Sequence, residues 1–451
     1  MALSQQAAVD LAAKLMQKRE AEKARLELLL SYRQDGASRE SVLANDRLAG
    51  LPSGIPDEVK RLAKASRVNL IRYVVSARVQ AMFIDGFQTA ESPENVPGWT
   101  IWQRNGFDAR QLGVHRAALT FGAGFVVVTP GEPSPVMRGV SPRSMTVGYG
   151  NDTDWPLAAL EKRRDGSWRL VDETSIYAMK GEDGGALELV ELAPHGATYA
   201  GQAVCPVIRF RDTDDLDIDV SGIVEPFRLL QDQINITTFG LQVAQHYGAF
   251  RQRYILGWLA ESEAEALKTG ASRLMMFEDA PGDVEVGEFA QTDLRGYIES
   301  REATIRHLAT VSQTPVHELL GQFINLSAEA LEAARASHQA AIDENRIVMG
   351  EAWEQSLNLA SEMAGETVDP SASVIWRDTR IRSLSDAATG LGALVTGLGV
   401  PPRALWPRIP GVAQHELEQW RAMADEGDAF ADLEKLLDRQ ANPQPTPPAP
   451  A

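Results

Sequence analysis

Apolar residues recur at steps of three and four along the segment between residues 221 and 248 of this chain. The segment reads SGIVEPFRLLQDQINITTFGLQVAQHYG, and this spacing places its apolar side chains on one stripe of a helix. Pro226 is compatible with the helix because it falls in or near the first turn, where a missing N–H has no intrahelical partner. We expect the packing of this helix to depend on Ile223, Phe227, Leu230, Ile234 and Leu241.

The same periodicity predicts two more helices further along the chain. The second begins at Thr292 as its N-cap and ends before Pro315, since proline disfavours helical geometry in the residue before it. The third begins near Ser327, where Glu329 favours the helix dipole, and stops at Gly365, which makes it roughly 55 Å long. The expected packing residues are Leu294, Ile298, Ile305 and Leu308 in the second helix, and Ile342, Met349, Trp353, Leu357 and Ala360 in the third.

The first half of the chain mixes helices with extended segments. Amphipathic helices are predicted over Leu3–Tyr32 and Val59–Met82, and the second is followed by the extended FIDGFQ. The apolar run Phe125–Thr129 is typical of a buried strand. Between Met137 and Phe210, short β-branched and apolar runs separated by turns predict an all-β region, with Asp165-Gly166 forming a hairpin turn.

The rest of the chain surrounds the three long helices. Residues 249–291 mix strand runs (RQRYIL, RLMMF and DVEVGEF) with a short helix over Glu261–Lys268. After Gly365 the chain is predicted to be helical again, and it finishes in the Pro-rich ANPQPTPPAPA, which is typical of a disordered tail. The predicted fold class is therefore α+β, mainly α.

Length and composition limit the class of protein. With 451 residues, 44% of them hydrophobic, the chain can bury cores in two to four domains. No run of eighteen apolar residues predicts a membrane span, and the first residues lack the apolar stretch of a signal peptide. The one cysteine, Cys205, can form no intramolecular disulfide and no cysteine metal cluster, which fits synthesis in a reducing cytosol.

The net charge of −18 argues against tight binding of nucleic acid through its phosphates. Two interpretations of this charge remain open. It could serve solubility alone, or it could belong to a surface that stays near DNA without holding it.

One acidic loop is a candidate for metal chemistry. The sequence RDTDDLDIDV places Asp212, Asp214, Asp215, Asp217 and Asp219 close together, and alternating carboxylates can bind a divalent cation. Neither register of the loop supplies the glycine and glutamate that an EF-hand requires. The alternatives are a solvated loop, a loop that reaches a basic patch on a neighbouring subunit, or the site of a cytosolic metal-dependent enzyme assisted by a distant histidine.

Other catalytic motifs are missing from the sequence. Gly122-Ala123-Gly124 precedes a strand rather than following one, and the chain contains no GxxxxGK[ST], no HExxH and no GxSxG. Cys205 is expected to be a buried structural thiol, and Trp99 and Trp102 are expected to pack in a core. We therefore predict no catalytic residue, no cofactor and no metal ligand.

Several segments together resemble the portal proteins of tailed double-stranded-DNA bacteriophages, and most of all those of long-tailed phages of actinobacteria. The resemblance is carried by SGIVEPFRLLQDQINITTFGLQVAQHYGAFRQRYILGW and by IRHLATVSQTPVHELLGQFINLSAEALEAARASHQAAIDENRIVMGEAWEQSLNLA. NLIRYVVSARVQAMFIDGF and IWQRNGFDARQLGVHRAALTFGAGFVVVTPG fit the same family. The order and spacing of these pieces, over roughly residues 1 to 365, are more specific than any single piece.

The resemblance implies a portal fold with an α/β wing, long stem helices, a small mixed clip and a helical crown. Its parts would be the N-terminal part of the wing (1–220), the first stem helix (221–248), the clip (249–291), the second stem helix (292–313), the tunnel loop (314–326), the long wing helix with its return (327–379), the crown-like helical region (380–440) and the disordered tail (441–451). A stem helix needs one face for a neighbouring subunit, and the stripe from Ile223 to Leu241 is expected to supply it.

The resemblance also implies a function without catalysis. The chain would form a ring, usually of twelve subunits, at one capsid vertex, after assembly in the host cytoplasm. Double-stranded DNA would be packaged and ejected through the ring without sequence recognition, and no membrane would be involved. The implied partners are the terminase large subunit, the head–tail connector, the major capsid protein and the scaffold. The tunnel-loop residues nearest the DNA would be His317, Gln322, Phe323 and Asn325.

Overall fold

The computed structural model describes residues 2–34, 56–89, 95–151, 155–217, 221–248, 253–256, 274–277, 285–288, 293–321, 328–377, 384–409, 411–412, 416–417 and 419–426. Its helices are α1 (Gln5–Arg33), α2 (Asp57–Ala65), α3 (Leu70–Gln80), α4 (Gly98–Arg104), α5 (Phe107–Phe121), α6 (Val224–Gly248), α7 (Arg295–Val311), α8 (Val316–Leu320), α9 (Ala328–Met363), α10 (Leu384–Leu398) and α11 (Pro402–Leu405). The fold class predicted from the sequence, α+β and mainly α, is confirmed.

The strands form small antiparallel sheets, with one parallel pair. They are β1 (Ile84–Gln88), β2 (Gly124–Thr129), β3 (Val136–Val140), β4 (Met145–Tyr149), β5 (Pro156–Lys162), β6 (Trp168–Val171), β7 (Ser175–Lys180), β8 (Glu188–Pro194), β9 (Thr198–Tyr199), β10 (Gln202–Ala203), β11 (Val207–Phe210), β12 (Arg253–Leu256), β13 (Leu274–Phe277), β14 (Glu285–Glu288) and β15 (Ser373–Trp376). The sheet orders are β4-β5-β6-β7-β8, β11-β2-β3, β13-β12-β14, β1-β15 and β10-β9, and the β12–β13 pair is parallel.

The β-rich region from Met137 to Phe210 matches its prediction. The turn between β5 and β6 has Gly166 at a φ of +84°, and the side chain of Asp165 accepts a hydrogen bond of 3.0 Å from the backbone N–H of Ser167. The apolar face of α1 covers one side of the five-stranded sheet, where Leu15 and Met16 belong to the same core as Trp168. Helix α1 is therefore part of the folded unit.

The main core surrounds an aromatic cluster on the long helix α9. Trp353 is fully buried, and its ring centroid lies 4.8 Å from that of Trp102 and 4.5 Å from that of Phe210. Its indole N–H donates to Nε2 of His115 across 2.8 Å. Trp99 stacks on Trp102 at 5.4 Å, as expected for core tryptophans. The predicted packing face of α9, from Ile342 to Ala360, is buried throughout.

Two predictions about the elements are wrong. Residues 59–82 are not one helix, because α2 ends at Ala65 and α3 begins at Leu70 after its N-cap, Asn69, whose side chain accepts from the backbone N–H of Arg72. The chain after Gly365 is not wholly helical either, since β15 pairs with β1 and joins two segments almost three hundred residues apart. That strand depends on a distant partner, which local periodicity cannot show.

Three further predictions concern Cys205, the segments 261–268 and 441–451, and membrane spans. Cys205 is fully buried in a small core with Phe125 and Val207, as expected for a structural thiol. The predicted helix over Glu261–Lys268 and the tail 441–451 lie outside the described residues. Within the part of the chain that the structure describes, no helix is both long and apolar enough to cross a membrane.

Candidate functional site: the helix pair and its connection to the long helix

Helices α6 and α7 form an antiparallel pair that brackets the small sheet β13-β12-β14. Tyr297, in the first turn of α7, packs on Gly240 in the second half of α6, where an added Cβ would lie 3.1 Å from the Tyr297 ring. At the other end of the pair, Leu308 of α7 and Phe227 of α6 belong to the main core. The bounds of both helices lie inside the predicted ranges 221–248 and 292–313.

The predicted stripe of α6 faces the core of its own chain. Ile223, Phe227 and Ile234 are buried there, while Leu230 and Leu241 are half-buried. The expectation that this stripe supplies the face for a neighbouring subunit is therefore wrong. The spacing of apolar residues identifies a buried face but does not identify what covers it.

Other apolar side chains of the pair remain uncovered. Leu229 is 69% exposed and Ile236, two turns further along α6, is 52% exposed. On α7, Leu294 precedes the helix and Ile298 is 45% exposed, so the predicted packing face of α7 is buried only at Ile305 and Leu308. One face of the pair thus packs on the subunit core, and another presents large apolar residues.

Polar side chains fix the buried half of α6 to the N-terminal helices. Gln231 is only 2% exposed, and its Oε1 accepts the backbone N–H groups of Leu70 and Ile71, at 2.9 and 3.2 Å. These are N–H groups of the first turn of α3, which have no partner within that helix. The Gln231 amide donates to the carbonyl oxygen of Val68, and Asn235 accepts from the N–H of Val68. Helix α6 therefore caps α3.

Three further contacts hold α6 along its length. Arg25 of α1 donates to Glu225 at 2.7 Å, and Tyr32 of α1 donates to Asp232 at 2.7 Å. Near the far end of α6, Nε2 of His246 lies 2.6 Å from Oε1 of Glu58 on α2. None of these three contacts was predicted from the sequence.

Helix α7 ends in a tight turn built on an unusual residue. Gln313 has a φ of +51°, in the left-handed region where glycine is usual. Its N–H donates to the carbonyl of Thr310, and the next N–H, that of Thr314, donates to the carbonyl of Ala309 at 2.9 Å. This is the hydrogen-bond pattern of a Schellman motif. The carbonyl of Gln313 also accepts from Nδ1 of His338 on α9 at 2.9 Å, so the turn is attached to the long helix.

A buried arginine binds the same turn from the other side. Arg78 of α3, 5% exposed, donates to the carbonyl oxygen of Ser312 at 2.7 Å. Burial lowers the pKa of Arg78, and the negative charges of Asp212 and Glu344 partly offset that effect. Burial raises the pKa of Asp212 to about 6, against the opposing effects of backbone N–H groups and of Arg78. The end of α7 is therefore fixed by a buried arginine whose charge is partly balanced by Asp212 and Glu344.

The segment after this turn is helical rather than a loop. Residues 316–320 form α8, so the predicted tunnel loop 314–326 is wrong for its first part. The reason is that α8 can form a turn of helix after Pro315, whose fixed φ suits the position just before a helix. His317 lies on α8 with its side chain 9% exposed. The other predicted loop residues, Gln322, Phe323 and Asn325, lie outside the described residues.

Glu318 joins α8 to two other helices. Its Oε2 accepts from the Tyr73 hydroxyl of α3 at 2.9 Å, and its Oε1 accepts from Arg335 of α9 at 3.0 Å. Burial and the hydrogen bond to Glu318 raise the pKa of Tyr73 to about 12, so the hydroxyl keeps its proton. The Glu318–Arg335 contact spans residues 322–327 and holds the chain on both sides of them.

The acidic loop is partly buried. Asp212 is 4% exposed, and the carbonyl of its backbone accepts from Asn345 of α9, whereas Asp214, Asp215 and Asp217 are exposed. The expectation of a wholly solvated loop is wrong at Asp212, and Asp219 lies outside the described residues. Among those described, no group of three His, Cys, Asp or Glu residues could hold a metal ion.

Of the contacts that were not predicted, those of Gln231 could have been expected from the sequence. Gln231 lies three and four residues from Asn235, Phe227 and Ile234, on the face that the apolar stripe predicts to be buried. A polar residue on such a face needs hydrogen-bond partners. Arg78, Glu318 and Arg335 gave no such signal, because their partners come from distant parts of the chain.

The similarity of the chain to known proteins shows the family to which it belongs. A family model described as "Phage portal protein, SPP1 Gp6-like" matches residues 13–429. The chain belongs to this family of phage portal proteins. As a portal protein it is a structural component of the virion, which forms an oligomeric ring at the phage head. This function replaces the alternative of a metal-dependent enzyme at Asp212–Asp219.

Individual relatives agree with the family. The portal chain is 23% identical to the portal protein of Mycobacterium phage D29 over 422 residues, which cover 88% of this chain and 86% of that one. It is also 23% identical to the portal protein of Mycobacterium phage L5 over 421 residues, or 87% and 85% of the two chains. The predicted resemblance to portals of actinobacterial phages is confirmed.

Two solved structures are also similar to the portal chain. One is a chain from the virion of a native gene transfer agent particle, with a TM-score of 0.49 and 15% identity over 80% of this chain and 95% of that chain. The other comes from the neck of an empty gene transfer agent particle, with a TM-score of 0.48 and 16% identity over the same shares.

Proposed function

We propose that twelve copies of the chain form a ring at the capsid vertex and that double-stranded DNA passes along its axis, with no catalysis by the ring itself. The observation that carries this proposal is the α6–α7 pair. One face of the pair is fixed to the subunit core by Gln231, while Leu229 and Ile236 stay exposed on α6. Large apolar side chains on a rigid helix favour contact with another protein surface, here the neighbouring copy.

The parts of the portal are then assigned along the chain. The wing would comprise residues 1–220 and 327–379, the stem helices 221–248 and 292–313, and the clip 249–291. The tunnel loop would be 322–326, after α8, and the crown 380–440, followed by the tail. Support for the stem and clip comes from the position of the sheet β13-β12-β14 between the end of α6 and the start of α7.

The tunnel loop would contact DNA through its tip. Gln322, Phe323 and Asn325 lie in sequence between two fixed points, Gly321 at the end of α8 and the start of α9. The segment TPVHELLGQFINL has no Lys or Arg, which suits a surface that lets a polyanion slide. His317, with its side chain mostly covered, would support the tip rather than touch the DNA.

The partners would meet different parts of the ring. We assign the clip to the terminase large subunit during packaging and to the head–tail connector afterwards. The wing would meet the major capsid protein and the scaffold during assembly in the host cytoplasm. The net charge of −18 suits a channel that does not trap DNA.

The experiment exchanges residues 322–325 for Gly-Ser-Gly-Ser in a phage that depends on this chain. We expect particles with an intact ring and with less packaged DNA, measured as genome length in purified heads and as titre. The matched control combines Glu182→Gly with Gly185→Ser in the exposed turn between β7 and β8 and keeps Asp183; it should leave packaging unchanged. Unchanged DNA length and titre for the 322–325 variant would show that the assignment of the loop is wrong.

A further inference from the structure

A basic cleft lies on the wing, although the chain as a whole is acidic. Its volume is about 1040 Å³, and it is lined by the first half of α5, the end of β3 and the β5–β6 hairpin. Seven arginine and lysine side chains and only two carboxylates line it. In a chain of net charge −18 such a concentration of positive charge favours an anionic occupant.

Part of this positive charge is already neutralised inside the subunit. Glu161, 1% exposed, accepts from Arg138 at 2.5 and 2.8 Å and from Arg169 at 2.7 Å. Burial opposes the ionisation of Glu161, but the two arginines outweigh it and lower its pKa. Lys162 donates to Asp183 at 2.9 Å. These contacts give the cleft a fixed wall.

The remaining arginines lack such partners. Arg110, Arg116, Arg163 and Arg164 form no ion pair with any carboxylate among the described residues, and Arg110, Arg163 and Arg164 are exposed. Between them the cleft has an apolar floor that includes the half-buried Leu112. The cleft therefore fits a short acidic segment that also carries an apolar side chain.

The chain itself contains a segment of this kind. In the loop after β11, Asp214, Asp215 and Asp217 are exposed, and Leu216 between them is 100% exposed. A fully exposed leucine flanked by carboxylates has no role in the core of its own subunit. Its composition is complementary to that of the cleft in both charge and polarity.

The cleft and the loop are two separate surfaces of one subunit. The cleft borders β3 and the loop follows β11, the two outer strands of the sheet β11-β2-β3, whose last residues both lie beside the start of β2. Two different surfaces that meet between copies make a heterologous contact, and repeated heterologous contacts form a ring when the rotation from one copy to the next closes. The arrangement therefore suits neighbouring subunits of a ring.

We propose that the acidic loop Asp214–Asp217 of one subunit docks into the basic cleft of the next. Asp214 keeps its ion pair with Arg211 at 2.7 Å. The carboxylates of Asp215 and Asp217 would pair with arginines of the cleft (Arg110, Arg116, Arg163 and Arg164), and Leu216 would cover the apolar floor at Leu112. The proposal rests on the proposed function, because the ring supplies the neighbour. This contact would join the wings of neighbouring subunits, in addition to the contacts between their stem helices.

The first test cross-links the two surfaces in the full-length protein. Leu216→Cys and Arg164→Cys are combined and treated with a short bismaleimide linker, and the products are separated under denaturing conditions. We expect a ladder at multiples of the subunit mass. Each single variant is the control and should give no ladder, since Cys205 is fully buried. A ring that gives no ladder with the double variant overturns this proposal and leaves the proposed function intact.

The second test reverses charges. The pair Arg163→Glu and Arg164→Glu, or the pair Asp215→Lys and Asp217→Lys, should weaken subunit association by about tenfold or more, and combining all four should restore most of it. Arg104→Glu and Glu191→Lys, both at exposed positions outside the two surfaces, are the matched controls. Equal effects of test and control variants overturn the proposal.

The same variants also test the main alternative, in which the cleft binds DNA instead of the acidic loop of a neighbouring subunit. Binding of a fluorescent duplex is measured on the assembled protein at two salt concentrations. We expect no loss of duplex binding in the Arg163→Glu, Arg164→Glu variant. Loss of binding with unchanged association would make the cleft a DNA surface and overturn the proposal. A chain that stays monomeric contradicts this proposal and the proposed function together.

Discussion

Arg78 donates a hydrogen bond of 2.7 Å to the carbonyl oxygen of Ser312 and so joins α3 to the last turn of α7. Both residues are buried, and the carbonyl belongs to a helix end that has no intrahelical partner for it. The guanidinium also complements the negative end of the helix dipole. This contact links the N-terminal helices to the helix that leads into α8.

Replacing Arg78 should destabilise the subunit strongly. Arg78→Met removes the donor to the carbonyl of Ser312 and the positive charge near the buried Asp212, which should lower the free energy of unfolding by about 2–4 kcal/mol. The measurement is urea unfolding followed by circular dichroism. Arg72→Met, an exposed arginine on the same helix, is the matched control. Equal effects of the two substitutions would contradict the importance of the buried contact.

Gln313 offers a test of backbone strain. Because its φ is +51°, a side chain with a Cβ is strained there, by about 1–2 kcal/mol relative to a right-handed conformation. Gln313→Gly should therefore leave the free energy of unfolding unchanged or raise it by up to about 1 kcal/mol. Gln313→Val should lower it, since β-branched residues tolerate this region least. If Val is tolerated as well as Gly, the turn does not hold the left-handed conformation.

His115 should make the subunit sensitive to acid. Burial lowers the pKa of His115 to about 3, far below the ordinary value near 6.5 that it has in the unfolded chain. Between these values the unfolded chain binds the extra proton, so the stability contributed by neutral His115 is complete above pH 6.5 and is lost as the pH falls. The expected slope is about 1.4 kcal/mol per pH unit.

The measurement for His115 is the free energy of unfolding at several pH values between 4 and 7. His115→Gln keeps an acceptor for the indole N–H of Trp353 but cannot titrate, so its slope should be smaller than that of the wild type. Thr100→Ala, at an exposed position that does not titrate, is the control and should keep the wild-type slope. Identical slopes for all three proteins would contradict the buried, neutral state of His115.

Asp212 should make the subunit less stable as the pH rises, whereas His115 makes it less stable as the pH falls. Burial raises the pKa of Asp212 to about 6, so the folded chain binds the proton more tightly than the unfolded chain does. Its contribution to stability is complete below the unfolded pKa near 3.9 and is lost as the pH rises through about 6. Asp212→Asn should therefore gain up to about 3 kcal/mol relative to the wild type between pH 4 and pH 8.

The control for Asp212 is Leu216→Asn, at a fully exposed position of the same loop that does not titrate. Its stability relative to the wild type should not change between the two pH values. Thermal or urea unfolding at pH 4 and pH 8 measures both variants. A relative gain for Leu216→Asn equal to that for Asp212→Asn would show that the loop as a whole, rather than the buried carboxyl, sets the effect.

The long helices were predictable because they follow one period over many residues. The sequence predicts the third helix from Ser327 to Gly365, and α9 runs from Ala328 to Met363. The break between α2 and α3 also had a local signal, since Asn69 is a good N-cap directly before the apolar run LIRYVV. A single N-cap asparagine indicates a helix boundary less strongly than glycine or proline does. The continuous helical pattern on both sides of Asn69 outweighed it.

Features that depend on distant partners were not predictable. Strand β15 has four residues and gains its partner from β1, and Gln231 caps a helix about 160 residues away. The spacing in α6 predicted which side chains are buried, but the burial of Ile234 inside its own subunit follows from packing with α3 and α7, which no single segment encodes. The burial of Asp212 has the same origin, since Asn345 and Arg78 come from other helices.

The central claim, that the chain assembles into a ring around a channel, is tested most directly by the mass and shape of the purified protein. Native mass spectrometry followed by negative-stain microscopy measures both. We predict a ring-shaped particle with a central hole and a mass close to twelve times 49.2 kDa. A particle of 49.2 kDa that stays monomeric at high protein concentration, or a compact oligomer without a hole, would contradict the account.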